Sequence, residues 1–337
     1  MIADLHHWRD LKMPTLRRSG LVMLVAIALT AIMTRASHAQ DYPARLVILV
    51  VPSPAGSTTD ALARLVAEQL NQKWGKPVIV ENNSRGLNAG AEQVARANPD
   101  GYTLLVSPPL PLTVADLLYR EIGYRPAQFA PVSLLAKIAN ALVVRKDLPA
   151  KTIQDLVAFG KANPGKLTFG SQGAGSTAHL SGAQLEIRGG IKMVHVPYRG
   201  SAPALNDIIA GHIDMFFDTL TTSVPLHQAD KVRIMAVAGT ERAAAQPDIP
   251  TIAESGLPGF RSVTWFAMVG PPNTPVALIS RINRDVVEVL QSPQVQSKLR
   301  DLRLEAMIGP PADASKFFAE ETQLWGGVIK EANVTLQ

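Results

Sequence analysis

The 337-residue sequence predicts an α/β fold of two lobes, each a mainly parallel sheet flanked by helices, joined by crossover strands. Three observations predict it. From Asp41 onward, short apolar runs alternate with runs of helical period. The chain is 47% hydrophobic and too long for one typical domain, so it has core material for two lobes. The tetrapeptide AGST stands twice, at 55–58 and 174–177, each time between an apolar run and a helical one.

The elements follow in order. "RLVILVVP" is nearly all apolar, as a strand buried on both faces should be. "TTDALARLVAEQLNQKW" carries Leu62, Leu65, Val66 and Leu70 at helical spacing, and Gly75 stops it. "PVIVEN" is a strand, "AGAEQVARAN" a helix ended by the turn "NPDG", and "YTLLVS" a third strand. "LPLTVADLLYREI" reads as one short helix and "ALVVRK" as a strand. "TIQDLVAFGKAN" is a helix with Thr152 as its cap and Asp155 three residues on. The second lobe continues with strands "KLTFGS", "KMVHVPY", "IDMFFDT" and "VRIMAVAG", and with helices "STAHLSGAQLEI" and "APALNDIIAG". Trp265 and Phe266 fall on a crossover strand and in the core. Two helical stretches cover 275–302 and a last helix 313–333. The expected boundaries are a leader at 1–39, one discontinuous lobe at 40–143 and 264–337, and a second lobe at 144–263.

The leader rests on Arg17 and Arg18, a thirteen-residue apolar run at 21–33, and the small-residue site Ser37-His38-Ala39 before Gln40. That is the layout of a secretory signal cleaved near Ala39, and the run is short for a membrane span. Met13 would begin a tidier leader than Met1. The formal charge of +5 falls to +2 once 1–39 is removed, because five basic and two acidic residues go with it. The remaining Lys and Arg are scattered among acids, which argues against nucleic-acid binding. Zero cysteines exclude disulfides, thiolate metal sites and cysteine nucleophiles.

In open α/β sheets, ligands bind beyond the carboxyl ends of the strands, where both AGST turns lie. Glycine lets backbone approach closely, Ser and Thr cap, and the unpaired N–H groups of the first turn favour an anion. A single turn is an ordinary helix cap. Two in equivalent places make opposed jaws for a small anion. Ser107, ending the third strand, is a further contact candidate, and "PPLPLT" after it shapes one wall.

Other chemistries fit less well. "GAGSTA" at 173–178 matches a dinucleotide fingerprint variant, but the next strand ends in His195, Pro197 and Tyr198 where an acid is wanted. There is no nucleophile elbow and no metal-binding histidine pattern. A Ser176–His179–Asp218 triad would make the chain a secreted α/β hydrolase acting on a carboxylate or ester; that is the alternative reading.

The motifs "YPARLVILVVPSPAGSTTD", "NPDGYTLL", "GAGSTAHLSG", "HVPYRGSAPALNDIIAGHIDMFFD", "RIMAVAGTERAAAQPDIPTIAESG" and "PPNTPVALISRIN" occur in this order from Tyr42 to the C-terminus. With them the chain resembles the extracytoplasmic solute receptors of the tripartite tricarboxylate transporter family, also called Bug-type receptors. The resemblance implies a type II periplasmic binding protein fold that closes by a hinge on a small organic acid. It implies delivery to a membrane permease or service to a sensing system, and no catalysis, cofactor or metal; a monomer is expected. It places the first-lobe contacts on the loop 53–60, with Ser53, Ala55, Gly56, Ser57 and Thr58. The second-lobe contacts fall on Ser171, Gly175, Ser176, Thr177, Gly200, Ser201, Ala202 and near Asp218. The chain departs from the family where Ser57 replaces a glycine and Ser53 an aromatic, and where the loop at 81–92 is one residue shorter. Asp60 reads as a first-turn residue that the helix dipole favours, since a carboxylate facing an anion would repel it. Asp218 accepts from a ligand hydroxyl or ammonium, or caps the next helix. Arg199 pairs with a distal carboxylate or lies at the surface, and Tyr198 packs at the cleft rim.

Overall fold

Largely buried, mainly apolar runs make the inner strands, and the strands place the loops. A computed structural model describes residues 42–243 and 246–336; the leader expected at 1–39 lies outside them. Residues Arg45–Gln337 form one compact unit. Strands β1 (Val47–Val51), β2 (Val78–Asn82) and β3 (Thr103–Ser107) pair in parallel, with β1 between the other two. Strands β5 (Leu167–Ser171), β6 (Met193–Pro197) and β7 (Met215–Thr219) make a second parallel group, with β5 in the middle.

Two antiparallel strands connect the groups. β4 (Ala130–Val144) is fifteen residues long. Its first part pairs with β9 (Val263–Gly270) and the short β10 (Glu305–Ala306), its second with β7 and β8 (Arg233–Val237). The strand order is therefore β2-β1-β3-β9-β4-β7-β5-β6, with β8 and β10 both on β4. The change of partner comes between Ala139, opposite Val263, and Asn140, opposite Thr219. At that point buried Asn140 donates from Nδ2 to Ser262 Oγ (2.7 Å) and accepts at Oδ1 from Thr264 Oγ1 (2.9 Å). One amide thus ties the two crossover strands together.

Helices flank this sheet. They are α1 (Thr58–Trp74), α2 (Leu87–Ala95), α3 (Leu110–Thr113), α4 (Ala115–Leu118), α5 (Ile153–Ala162), α6 (Thr177–Gly189), α7 (Ser201–Ala210), α8 (Leu220–Gln228), α9 (Val276–Gln291), α10 (Pro293–Asp301) and α11 (Pro311–Glu331). The expected capping box of α5 is present, with the Thr152 and Asp155 side chains each bonding the other's backbone N–H. The single helix expected over "LPLTVADLLYREI" is instead the pair α3 and α4, broken at Val114. The polar, Pro-containing α8 has no apolar period to reveal it in the sequence.

Side-chain alternation along β9 sends neighbours to opposite faces. Trp265 turns toward α11, where its Nε1–H donates to the buried Glu321 carboxylate at 2.9 Å. Glu321 also accepts from Trp325 Nε1 (3.1 Å) and Arg261 (2.9 Å). Phe266 turns the other way, into the site. Among the described residues no helix is long and apolar enough to cross a membrane.

Candidate functional site

The two AGST turns have one local structure. Gly56 and Gly175 take φ of 81° and 77°, the left-handed region that glycine enters without strain. Ser57 and Ser176 follow as extended N-caps whose hydroxyls accept from the backbone N–H three residues on, those of Asp60 (3.2 Å) and His179 (3.4 Å). Each glycine N–H then donates to a side chain four residues on. Gly56 donates to Asp60 Oδ2 and Gly175 to His179 Nδ1, both at 2.9 Å. His179 therefore occupies in the second turn the place of Asp60 in the first.

Those two residues differ in charge. Burial raises the pKa of the Asp60 carboxyl, but hydrogen bonds from Arg64, the Gly56 amide and Asn82 outweigh it and hold it below the ordinary value. His179 is pushed down to about 4 by burial, so its ring is neutral and Nδ1 is free to accept. His179 stacks on His195, ring centres 3.8 Å apart and planes 9° off parallel. Burial, and secondarily His179, pushes His195 down to about 3; its Nε2 lies 2.7 Å from Ser171 Oγ. The stacked pair supports the second turn from below.

Both turns border one cavity of about 380 Å³. Five helices of nine or more residues begin on its wall: α1 through Ser57 and Thr58, α2 through Gly86 and Leu87, α6 through Ser176 and Thr177, α7 through Gly200 and Ser201, and α8 through Thr219. Every helix start leaves backbone N–H groups without an intrahelical partner. Arg85 and Arg199 also line the wall, and no carboxylate does among the described residues. Tyr119, also on the wall, donates from its OH to the Ala174 carbonyl at 2.9 Å, and the buried Phe266 lines the cavity. A helix end is worth ~0.3–1 kcal/mol. Five together fall short of the roughly −8 kcal/mol of micromolar binding. Direct hydrogen bonds to an anion, about 1.5–3 kcal/mol each, must supply the remainder.

A chain of hydroxyls runs along one side. Asp218 is fully buried. Its Oδ1 accepts from Ser201 Oγ (2.7 Å) and Gln172 Nε2 (3.3 Å), and its Oδ2 from Thr222 Oγ1 (2.5 Å). Thr222 Oγ1 lies 3.1 Å from Thr219 Oγ1, which in turn lies 3.0 Å from Thr58 Oγ1 across the cavity. Burial raises the Asp218 pKa to about 6, against the lowering effect of these bonds, all from neutral donors.

Seven of the sequence-expected residues line the cavity: Ser53, Ser57, Thr58, Ser176, Thr177, Gly200 and Ser201. The other seven stand behind or beside it. Ala55 and Gly56 are exposed, and Ala202 points away within α7. Ser107 is buried and donates to the Pro108 carbonyl, Ser171 holds Gly173 and His195, and Gly175 packs against Leu110 and Leu118. Asp218 reaches the wall only through its hydroxyl partners. Residues outside that expectation also line it, including Arg85, Tyr119, Gln172, Thr219 and Thr264. Only the cap-like Gly86-Leu87 and Thr219-Leu220 steps left any trace of them in the sequence.

The hydrolase alternative does not assemble. His179 Nδ1 is taken by the Gly175 N–H, Ser176 Oγ by the His179 N–H, and Asp218 bonds neither of them. No group of three His, Asp or Glu side chains able to hold a metal ion occurs among the described residues.

Comparison with known proteins gives a consistent result. A family model described as the tripartite tricarboxylate transporter family receptor matches residues 62–334. The chain is 33% identical to protein BugT of Bordetella pertussis over 302 residues, covering 89% of this chain and 93% of that one. The structure of Rpa4515 from R. palustris with adipate superposes with a TM-score of 0.83 at 36% identity, covering 88% of this chain and 99% of that one. MatC from Rhodopseudomonas palustris with bound malate superposes with a TM-score of 0.79 at 30% identity, covering 86% and 100%. The chain belongs to the tripartite tricarboxylate transporter receptors, a family of solute-binding proteins that are not enzymes.

Proposed function

We propose that this receptor captures a small organic carboxylate in the cavity between two lobes, closes on it by a hinge, and delivers it to a tripartite tricarboxylate-type permease. The observation that carries the reading is the convergence of five helix N-termini and two arginines on one wall that, among the described residues, bears no carboxylate. The solved relatives with adipate and malate support the ligand class. The lobes are 40–143 with 264–337, and 144–263; the partner change in β4 near Asn140 supports a hinge there. Ser53, Ser57, Thr58, Ser176, Thr177, Gly200 and Ser201 hold the ligand from the wall. Ala55, Gly56, Ser107, Ser171, Gly175, Ala202 and Asp218 shape the loops that carry them. The leader-like N-terminus supports export to the periplasm with cleavage near Ala39, and the receptor acts there as a monomer.

A ligand that binds only the closed, folded form stabilises it by RT ln(1 + [L]/Kd), about 2.7 kcal/mol at a hundredfold excess over Kd. Thermal unfolding against mono-, di- and tricarboxylates, with a turnover assay beside it, tests this. The expected result is a raised Tm with an acid recovered unchanged. A flat response to every acid, or conversion of one of them, refutes the proposal. N-terminal sequencing of the exported protein checks the cleavage point.

A further inference from the structure

Three hydroxyls on the cavity wall, those of Thr58, Ser201 and Thr219, are ordered by Asp218. An ionised carboxylate only accepts hydrogen bonds. Thr222 Oγ1 therefore spends its single hydrogen on Asp218 Oδ2, and can only accept from Thr219. The Thr219 hydrogen is then committed to Thr222, so the bond between Thr219 and Thr58 must be donated by Thr58. Ser201 Oγ likewise gives its hydrogen to Asp218 Oδ1. Thr264 Oγ1 gives its hydrogen to the Asn140 carbonyl oxygen. Thr58, Ser201, Thr219 and Thr264 all line the cavity, and the hydrogen of each is committed to an oxygen of the protein. What they offer a ligand is lone pairs. The helix N-termini beside them offer N–H donors.

From this we propose that the site selects carboxylates that also carry a hydrogen-bond donor, a hydroxyl or an ammonium, over the corresponding plain acids, and that Asp218 is the positioning residue that sets this preference. The proposal rests on the carboxylate-receptor reading above. The donor on the ligand meets the Thr58 and Ser201 oxygens while its carboxylate meets the helix ends. A plain acid leaves those oxygens facing a methylene. Asp218 touches no ligand; it acts by fixing which way the hydroxyls of Ser201, Thr222, Thr219 and Thr58 point, while Asn140 fixes that of Thr264. Its raised pKa of about 6 still leaves it mostly ionised at neutral pH, the state in which the order holds.

The test is calorimetric titration of the whole mature protein at pH 7.5 with acids matched in chain length. The sets are succinate, malate and aspartate; glutarate, 2-hydroxyglutarate and glutamate; propionate, lactate and alanine. In the set that fits the cavity, the hydroxy or amino acid binds about tenfold more tightly than its parent, a single well-made hydrogen bond's worth. The separate hydroxy and amino arms say which donor is read. In Ser201→Ala and in Thr58→Val that ratio falls toward one, because each removes an acceptor from the wall. In Asp218→Asn it falls as well, since an amide can donate back to Ser201 or Thr222 and reverse the chain. Ser201 begins a surface helix, so its alanine variant reads the effect even if the buried Asp218 variant does not fold. Parent acids binding as tightly as their substituted partners, or a ratio untouched in Ser201→Ala and Thr58→Val, overturns the inference and leaves the carboxylate reading standing. No binding by any acid of any set defeats both.

Discussion

Replacing Asp218 with asparagine should change the pH dependence of stability by an amount the structure sets. Asp218 is fully buried and meets only neutral donors, so burial raises its pKa from 3.8 to about 6 in the folded protein. A raised folded pKa means the neutral acid is favoured by the fold. Its stabilising contribution is complete below the unfolded pKa and is lost as pH rises through the folded one. Roughly two pK units, at 1.36 kcal/mol each, amount to about 3 kcal/mol lost between pH 4 and 7. Asparagine has the same shape and does not titrate. Relative to the parent, Asp218→Asn therefore gains about 2–3 kcal/mol of stability between pH 4 and pH 7.5. His179 and His195 work in the opposite sense. Both are depressed, so their contribution is present above the ordinary histidine pKa and lost as pH falls toward about 4 and about 3. They are common to both proteins and cancel in the difference. Urea unfolding of parent and variant at the two pH values gives the quantity directly. A difference that stays constant over this range, or that moves against the variant as pH rises, refutes the claim that a desolvated, ionisable Asp218 underlies the hydroxyl chain.

Five further substitutions test the turns and the clamp. Gly56→Ala, where an added Cβ meets nothing within 4 Å, should cost about 1–2 kcal/mol of left-handed strain alone. Gly175→Ala should cost about 1–3 kcal/mol more, because its Cβ would sit 2.6 Å from Leu110 and 2.8 Å from Leu118; equal costs in urea unfolding count against the packing described. His179→Ala should cost about 1–3 kcal/mol by leaving the buried Gly175 N–H without an acceptor, whereas His179→Asn, which keeps a nearby acceptor, should recover part of it. Glu321→Gln places an amide N–H₂ against either the two indole donors or Arg261 and removes the charge that Arg261 pairs with, so it should destabilise by about 1–3 kcal/mol and shift the tryptophan emission; an unchanged spectrum would rule the clamp out.

Much of this arrangement could be read from residue order. The inner strands of the two parallel groups, β1, β3, β5 and β7, are short runs buried almost throughout, and such apolar runs announce themselves. The AGST turns declared their helix caps. β4 was legible only in its last third, because Pro131, Ser133, Lys137 and Asn140 interrupt the apolar run. The strand tolerates them through register shifts against β9 and through partners that come from far along the chain. Trp265 and Phe266 lie on the crossover strand and in the core as expected, and one-residue alternation, which the sequence does not assign to a side, turns Trp265 to Glu321 and Phe266 to the cavity. The hydroxyl chain was the least legible part. Thr58 and Thr219 are 161 positions apart, and neither carries any local mark of the other. Periodicity reports which face of an element is apolar; it says nothing of which hydroxyl a distant strand will bring alongside.

The matched seats of Asp60 and His179 have an electrostatic consequence. An acid in the first seat would weaken the field at the mouth of α1 if it were bare, and Arg64, at 2.9 Å, cancels it from the outer side. The second seat holds a stacked, buried imidazole on which, among the described residues, burial and not a paired cation sets the charge. A ring that accepts a hydrogen bond while carrying no charge supports the backbone as an acid would, yet leaves the field at the mouth of α6 undiminished. Histidine there lets one loop geometry be built twice while only one copy requires neutralising.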